Sequence, residues 1–173
     1  EIAPGKYTLE ITFEGKVNTS SDGMYLSRFE ETNYIFTQFE DMHARKAFPS
    51  FDEPNFKIPY QMTISSPEHQ EIVGNTPVEK VTVENGIKTV VFEKTKPMPT
   101  YLIAYTVGPF DSAEISGLSV PGKIYVPKGY ADKTKFVIKH IPEILASLED
   151  FFGIKYPYKK MDFVAVPNFT HGA

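Results

Sequence analysis

The chain has 173 residues, of which 41% are hydrophobic and 14% aromatic, so it can bury a core and is not expected to be disordered. Its 22 acidic and 18 basic residues give a formal net charge of −4, without a basic run, which argues against a nucleic-acid partner. No apolar stretch is long enough to span a membrane, and the absence of cysteine excludes disulfides and cysteine-bound metal within the chain.

Short segments with strand character occur throughout the first 126 residues. Residues 7–14 alternate apolar and polar side chains without a break, which is typical of a half-buried strand. Asn85-Gly86 predicts a hairpin turn because both residues tolerate a positive φ. Short strands separated by turns favour an antiparallel β-sandwich or barrel-like domain. The other predicted strands are residues 24–29, 34–39, 58–65, 78–84, 87–93 and 101–109, a short one within 66–77, and one or two within 111–126.

The pattern changes to helical spacing after residue 127. Asp132 or Thr134 can cap the start of the helix, Gly153 can end it, and Pro142 predicts a kink or a restart within it. A further strand is predicted at 161–166. The apolar residues of the predicted helix face are Val137, Ile141, Ile144, Leu145, Leu148, Phe151 and Phe152.

The polar segment of residues 37–54 carries the side chains of greatest chemical interest. Gln38 and Glu40 are two residues apart on a predicted strand, so they should point to the same face. Such a face can receive a cation that donates hydrogen bonds, for example the α-ammonium group of a peptide. A solvated strand face is the alternative interpretation, and spacing alone favours it.

The adjacent carboxylates Asp52 and Glu53 suggest a turn held by an ion pair with Arg45 or Lys46, rather than a catalytic pair. No serine nucleophile motif and no glycine-rich phosphate loop occurs in the chain. The four histidines, His43, His69, His140 and His171, show no metal-ligand spacing. The sequence therefore predicts no catalytic residue and no metal ligand in this chain.

Residues 37–54 resemble the Thr-Gln-Phe-Glu…Asp-Ala-Arg…Phe-Pro-Cys-Phe-Asp-Glu-Pro segment of the aminopeptidase N family of zinc metallopeptidases. His43 stands where the family commonly has Asp, and Ser50 where it commonly has Cys. The similarity covers nearly the whole chain in the same order. It continues through residues 74–77, 99–104, 152–157 and 166–173, the last of which reaches the first two letters of the family's Gly-Ala-Met-Glu-Asn motif.

The resemblance implies a mainly β fold: an antiparallel, saddle-like β-sandwich domain followed by the first helix and strand of a thermolysin-like α/β catalytic domain. By that comparison residues 1–126 form the β domain, and residues 127–173 form the opening segment of the catalytic domain. Because residue 1 is not Met and Ala173 completes no element, we expect the chain to be a fragment.

The resemblance also implies substrate-binding roles for four residues. Glu40 matches the carboxylate that binds the substrate's α-ammonium, and Gln38 matches a neighbouring side chain of the first substrate pocket. Gly172 and Ala173 match backbone groups that pair with an extended substrate. The expected partners are peptides with a free N-terminus and the rest of the catalytic domain.

The family's zinc ligands come from a His-Glu-x-x-His motif and a later Glu, which this chain does not contain. Zinc is therefore expected in the intact enzyme, while this chain alone should bind none and hydrolyse nothing. A catalytically inactive relative that serves as a binding scaffold is an alternative. An unrelated β-sandwich adhesion module would not explain the helix and strand after residue 126. Residues 117–122 resemble exported bacterial members of the family, which leans towards a periplasmic or secreted location over a cytoplasmic one.

Overall fold

The structure is a computed structural model, and it describes residues 3–169. This part of the chain is mainly β, with antiparallel sheets preceding a single α-helix, which confirms the predicted fold class. The strands are β1 (Gly23–Phe29), β2 (Thr32–Gln38), β3 (Thr63–Pro67), β4 (Glu71–Gly74), β5 (Val78–Glu84), β6 (Ile87–Phe92), β7 (Tyr105–Gly108), β8 (Asp111–Glu114), β9 (Lys123–Val126) and β10 (Phe163–Val164), and helix α1 is Lys135–Phe152.

Two antiparallel sheets make up the first part of the fold. The larger has the order β1-β2-β7-β4, and the smaller has the order β3-β6-β5. The β5–β6 hairpin turns at Asn85 (φ 52°) and Gly86 (φ 76°), the positive angles that the Asn-Gly pair was predicted to supply. The sequence pattern located this hairpin because its turn depends on two adjacent residues and on no distant contact.

The third sheet, in the order β10-β9-β8, joins the two parts of the chain. Strands β8 and β9 pair antiparallel, whereas β9 and β10 pair parallel. A parallel pair needs a long crossover connection, and α1 provides it. The predicted division after residue 126 thus falls between strands of one sheet, and the division itself stays a prediction.

Helix α1 follows a short 3₁₀ turn at Ala131–Thr134 and continues through Pro142 without a restart. It ends at Gly153, whose φ of 67° is the left-handed conformation typical of a glycine after a helix. The Thr134 hydroxyl bonds to the carbonyl of Ala131 (2.7 Å) and makes no cap on α1. Within residues 3–169, no helix is long and apolar enough to cross a membrane.

The strand predicted at residues 7–14 is absent from the structure, and this prediction was wrong. The segment is not paired with another strand, and its apolar side chains are exposed, Leu9 by 80%. A strand needs a neighbour to satisfy its backbone hydrogen bonds, and none of the described residues supplies one. The alternating pattern describes a face that could be buried, but not what would bury it.

Other predicted strands are shorter than expected, and of the one predicted at 161–166 only Phe163–Val164 is formed. In the segment 58–65 the strand begins only at Thr63, and Ile58 forms a single bridge with Met98. In the segment 101–109 a 3₁₀ turn at Thr100–Leu102 precedes β7. The side chain of Asn75 donates to the carbonyl of Leu102 (2.9 Å) and accepts from the amide of Ala104 (2.8 Å), so it replaces a neighbouring strand before β7.

An aromatic cluster connects the first and third sheets. Phe36 on β2 lies 6.0 Å from the ring centre of Tyr25, 6.2 Å from Tyr34 and 6.0 Å from Phe110. Phe110 in turn meets the edge of Tyr125 on β9 at 6.5 Å. Such tilted and edge-on ring contacts add to the free energy of burying the apolar area. Val164 of β10 and Val166 after it also pack against this cluster.

The carboxylate of Glu149 ties the end of α1 to the segments beside it. It accepts hydrogen bonds from Lys155 Nζ (2.8 Å), Ser119 Oγ (2.5 Å) and the amide of Tyr156 (2.8 Å). The bond from Lys155, followed by those from Ser119 and Tyr156, lowers the pKa of Glu149 from 4.5 to about 2. This carboxylate therefore stabilises the fold only while it is ionised.

We expect the free energy of unfolding of the Glu149→Gln variant to depend less on pH in the acid range. Because the pKa is lowered by folding, the stabilisation from Glu149 is complete above its ordinary pKa of 4.5 and is lost as the pH falls towards 2. Urea denaturation at several pH values measures this, and the two proteins should differ by a constant free energy above about pH 6. An equal dependence on pH below 5 in both proteins would contradict the assignment.

Candidate functional site

Gln38 and Glu40 lie on one open depression at the end of β2. Gln38 is the last residue of the strand, is half-buried and pairs with Gly23 of β1, whereas Glu40 follows the strand and is exposed. The depression has a volume of about 570 Å³. Its lining residues are Ser20, Ser21, Asp22, Gln38, Glu40, Asp41 and His43.

The residue between the two is directed into the core. Phe39 is 1% exposed, meets the rings of Phe48 at 5.8 Å and Tyr105 at 6.3 Å, and packs with the fully buried Ala44. Since neighbouring side chains of an extended chain point to opposite sides, burial of Phe39 turns the residues on either side of it outwards. The structure thus brings Gln38 and Glu40 together, while their role in binding stays a prediction.

The charges in the depression are not equally available. Asp22 accepts hydrogen bonds from Lys46 and Ser20, and these bonds lower its pKa to about 2. Among the residues that the structure describes, the carboxylates of Glu40 and Asp41 have neither a hydrogen-bond donor nor an ion-pair partner. Glu40 is therefore free to accept a hydrogen bond from a cationic ligand.

Near the end of the described region the chain returns to the β1–β2 pair at Ser27, which pairs with Tyr34 and lies four residue pairs from Gln38. The hydroxyl of Ser27 on β1 donates to the carbonyl of Pro167 at 3.2 Å. Val164 and Val166 pack against the aromatic cluster on the same side of the β1–β2 pair. Gly172 and Ala173, the other two predicted binding residues, lie outside the described residues.

The turn after Glu40 is held by Asp52, whose side chain is completely buried. Asp52 Oδ2 accepts from the amide of Arg45 (2.9 Å) and from its Nε (3.3 Å), and Oδ1 accepts from the Thr100 hydroxyl at 2.5 Å. The predicted ion pair with Arg45 is confirmed, whereas Lys46 pairs with Asp22. Thr100 was missed because it is 48 residues away in sequence.

Two buried polar atoms in the region lack a hydrogen-bond partner among residues 3–169: Nδ1 of His43 and Oγ of Ser50. These are also the two positions at which the sequence departs from the motif it resembles. An unpaired buried polar group costs about 1–3 kcal/mol. The local hydrogen-bond network of the turn therefore does not include either side chain.

The described residues contain no cluster of side chains typical of a metal centre. No group of three or more histidine, cysteine, aspartate or glutamate side chains with suitable geometry occurs within residues 3–169. Glu40, Asp41 and His43 line the same depression but do not form a group that could hold a metal ion. The donor set in this part of the chain does not fit a zinc centre.

The family model of the peptidase M1 N-terminal domain matches residues 1–102, which is more than half of the chain. The chain belongs to this family. This finding confirms the resemblance to the aminopeptidase N family that residues 37–54 carry, and it extends over the elements from β1 to the 3₁₀ turn that contains Thr100.

Relatives of this M1 chain match it from end to end. Aminopeptidase M1-B of Oryza sativa subsp. japonica is 37% identical over 178 residues, which cover all of this chain and 20% of the relative. Aminopeptidase N of Acetobacter pasteurianus is 33% identical over 180 residues, which cover all of this chain and 51% of the relative. Aminopeptidase A of Gloydius brevicauda is 35% identical to this chain, and the matched region is 19% of that relative. The chain thus spans about a fifth of the length of most of these relatives.

Proposed function

We propose that the chain is the N-terminal part of a zinc-dependent aminopeptidase that removes N-terminal residues from peptides. The observation that carries this proposal is the carboxylate of Glu40, which no described residue pairs with and which lies beside Gln38 in one depression of a chain that belongs to the M1 family. The names of its relatives, aminopeptidases M1-B, N and A, support the same activity.

Glu40 receives the α-ammonium group of the substrate, and Gln38 lines the pocket for the first residue. A hydrogen bond between an ammonium and a carboxylate contributes about 1.5–3 kcal/mol, which corresponds to about ten- to a hundredfold in affinity. An internal peptide bond has no ammonium group, so this contact selects free N-termini. Gly172 and Ala173 pair with the substrate backbone, because small residues allow a close approach of two extended chains.

Zinc and the groups that act with it belong to the intact protein, outside the described residues. When bound there, the metal supplies a Lewis acid and an activated water molecule. The residues of this chain hold the substrate by its amine and its backbone. On this proposal, the described residues provide an acceptor for the amine, and they contain no cluster that fits a metal.

The experiment that tests this function compares two substrates on the intact protein. We expect it to hydrolyse a peptide with a free N-terminus, to lose activity on chelation and regain it with zinc, and to leave the N-acetylated peptide uncleaved. Residues 1–173 alone should show neither turnover nor stoichiometric zinc binding. Cleavage of both peptides at equal rates would overturn the proposal.

The exposed apolar face of α1 supports the proposed second unit, residues 127–173. Ile144, Leu148 and Phe151 were predicted to face a core, yet they are between 48% and 81% exposed. We infer that the rest of the catalytic domain covers this face. An apolar helix stripe normally packs against a neighbouring element, and most of the relatives are about five times as long as this chain.

Substitution of Phe151 by Ala tests this contact. In the intact protein the substitution should cost about 3 kcal/mol, because a buried ring leaves a cavity, and the melting temperature should fall. In residues 1–173 alone, where the ring is 81% exposed, the change should have little effect. Equal effects in the two proteins would show that nothing covers this face.

A further inference from the structure

The position of Glu40 is set by its backbone and not by contacts of its carboxylate. No described residue donates to this carboxylate, and the side chain is exposed. A receptor for an ammonium group must stay unpaired, so it cannot be held in place by the kind of contact that fixes most buried acids. The geometry of recognition therefore depends on whatever fixes the turn that begins at Glu40.

That turn is fixed at both ends by burial and by backbone hydrogen bonds. Phe39 and Ala44 are buried on either side of it. The amide of His43 donates to the carbonyl of Phe39 at 2.9 Å, and the amide of Lys46 donates to the carbonyl of His43 at 3.1 Å. The residues between these two anchors, Glu40 among them, have little freedom to shift while the anchors hold.

The chain beside the second of these buried residues, Ala44, is also held by the carboxylate of Asp52. Both oxygens of Asp52 are used: Oδ2 accepts from the amide and Nε of Arg45, and Oδ1 accepts from Thr100. Nη2 of Arg45 also donates a hydrogen bond to the backbone carbonyl of Asp52, at 3.0 Å. Asp52 thus connects the turn to the 3₁₀ segment before β7, 48 residues further along the chain.

We propose that Asp52 is a positioning residue for substrate recognition: it fixes the turn that carries Glu40, without touching the substrate itself. The proposal rests on the function proposed above. A charged, fully buried anchor suits this task because it holds the backbone and leaves the neighbouring carboxylate unpaired. The pKa of Asp52 is raised by burial but lowered further by the bonds from Thr100 and Arg45, so the net shift is downwards and the anchor is ionised.

The decisive variant is Asp52→Asn in the intact protein. Asparagine has the same shape and can keep a hydrogen bond to the Thr100 hydroxyl, which accepts as well as donates, but it removes the charge that pairs with the Arg45 guanidinium. We expect the KM for free-amine peptides to rise about tenfold, because an error of about 1 Å in a positioned group is enough for such a loss. The kcat and the zinc content should change little, since Glu40 binds the ammonium equally in the ground state and the transition state.

A control variant separates positioning from general loss of stability. Glu149→Gln removes another acid that anchors a loop, but its partners Ser119, Lys155 and Tyr156 do not line the depression. This variant should lower the melting temperature and leave the KM unchanged. If both variants lose stability equally and neither changes the KM, Asp52 is only a structural residue and the inference is wrong.

A milder pair of variants keeps the test informative if Asp52→Asn fails to fold. Thr100→Val removes the hydroxyl that donates to Asp52 and preserves the volume, whereas Thr100→Ser retains the hydroxyl. We expect a higher KM in the valine variant and recovery in the serine variant. An unchanged KM in both overturns the inference. If the unsubstituted protein cleaves no free-amine peptide, the proposed function fails instead.

Discussion

Replacement of Glu40 by Ala in the intact protein is expected to lower kcat/KM for peptides with a free N-terminus by about ten- to a hundredfold. The loss corresponds to one charge-assisted hydrogen bond between the ammonium group and the carboxylate. Because the side chain is exposed and contacts no described partner, its removal should leave the stability of the protein unchanged. Steady-state kinetics together with a thermal melt measures both quantities.

Two further variants make the Glu40 result interpretable. Glu40→Gln keeps the size and an acceptor oxygen but removes the charge, so its kcat/KM should lie between those of the original protein and Glu40→Ala. Glu68→Ala, at an exposed glutamate in the turn between β3 and β4, should change nothing. If the zinc content falls in step with activity in Glu40→Ala, Glu40 has a structural role and does not bind the amine.

Replacement of Phe36 by Ala should destabilise the fold by about 3–5 kcal/mol. The ring is 3% exposed and touches three other aromatic rings that connect the first sheet with the third. Its loss leaves a cavity at the centre of this cluster, and the surrounding strands can fill it only in part. The free energy of unfolding in urea measures the cost.

Phe51→Ala is the matched control for Phe36. The ring of Phe51 is 82% exposed and, among the aromatic side chains of residues 3–169, meets only Phe56, at 5.9 Å. We expect a change within about 0.5 kcal/mol. A cost at Phe36 no greater than that at Phe51 would mean that the aromatic cluster does not hold the two sheets together.

The elements that the sequence located correctly depend on near neighbours. The hairpin turn at Asn85-Gly86 needs only two residues with positive φ, and the end of α1 needs only Gly153. The strand predicted at residues 7–14 failed for the opposite reason. Its alternation is a local property, but a strand exists only when another strand accepts its hydrogen bonds.

The candidate site divides in the same way. Gln38 and Glu40 could be named from the sequence because the segment around them resembles a family motif. An ion pair of Asp52 with Arg45 or Lys46 could be predicted because they lie in one turn, and the structure selects Arg45. Thr100 could not be predicted as the other partner of Asp52. Nothing in a list of residues indicates that a threonine 48 positions away will donate to a buried acid.

The sequence by itself determined the family, the mainly β character, the hairpin, the helix and the two side chains proposed to meet the substrate's amine. Only the tertiary structure decided that Glu40 has no partner among the described residues, that Phe39 and Asp52 hold its turn from both sides, and that β9 and β10 belong to one sheet. The physical reason is distance along the chain. Periodicity and turn chemistry act between neighbours, whereas burial and the pairing of polar groups depend on residues that only folding brings together.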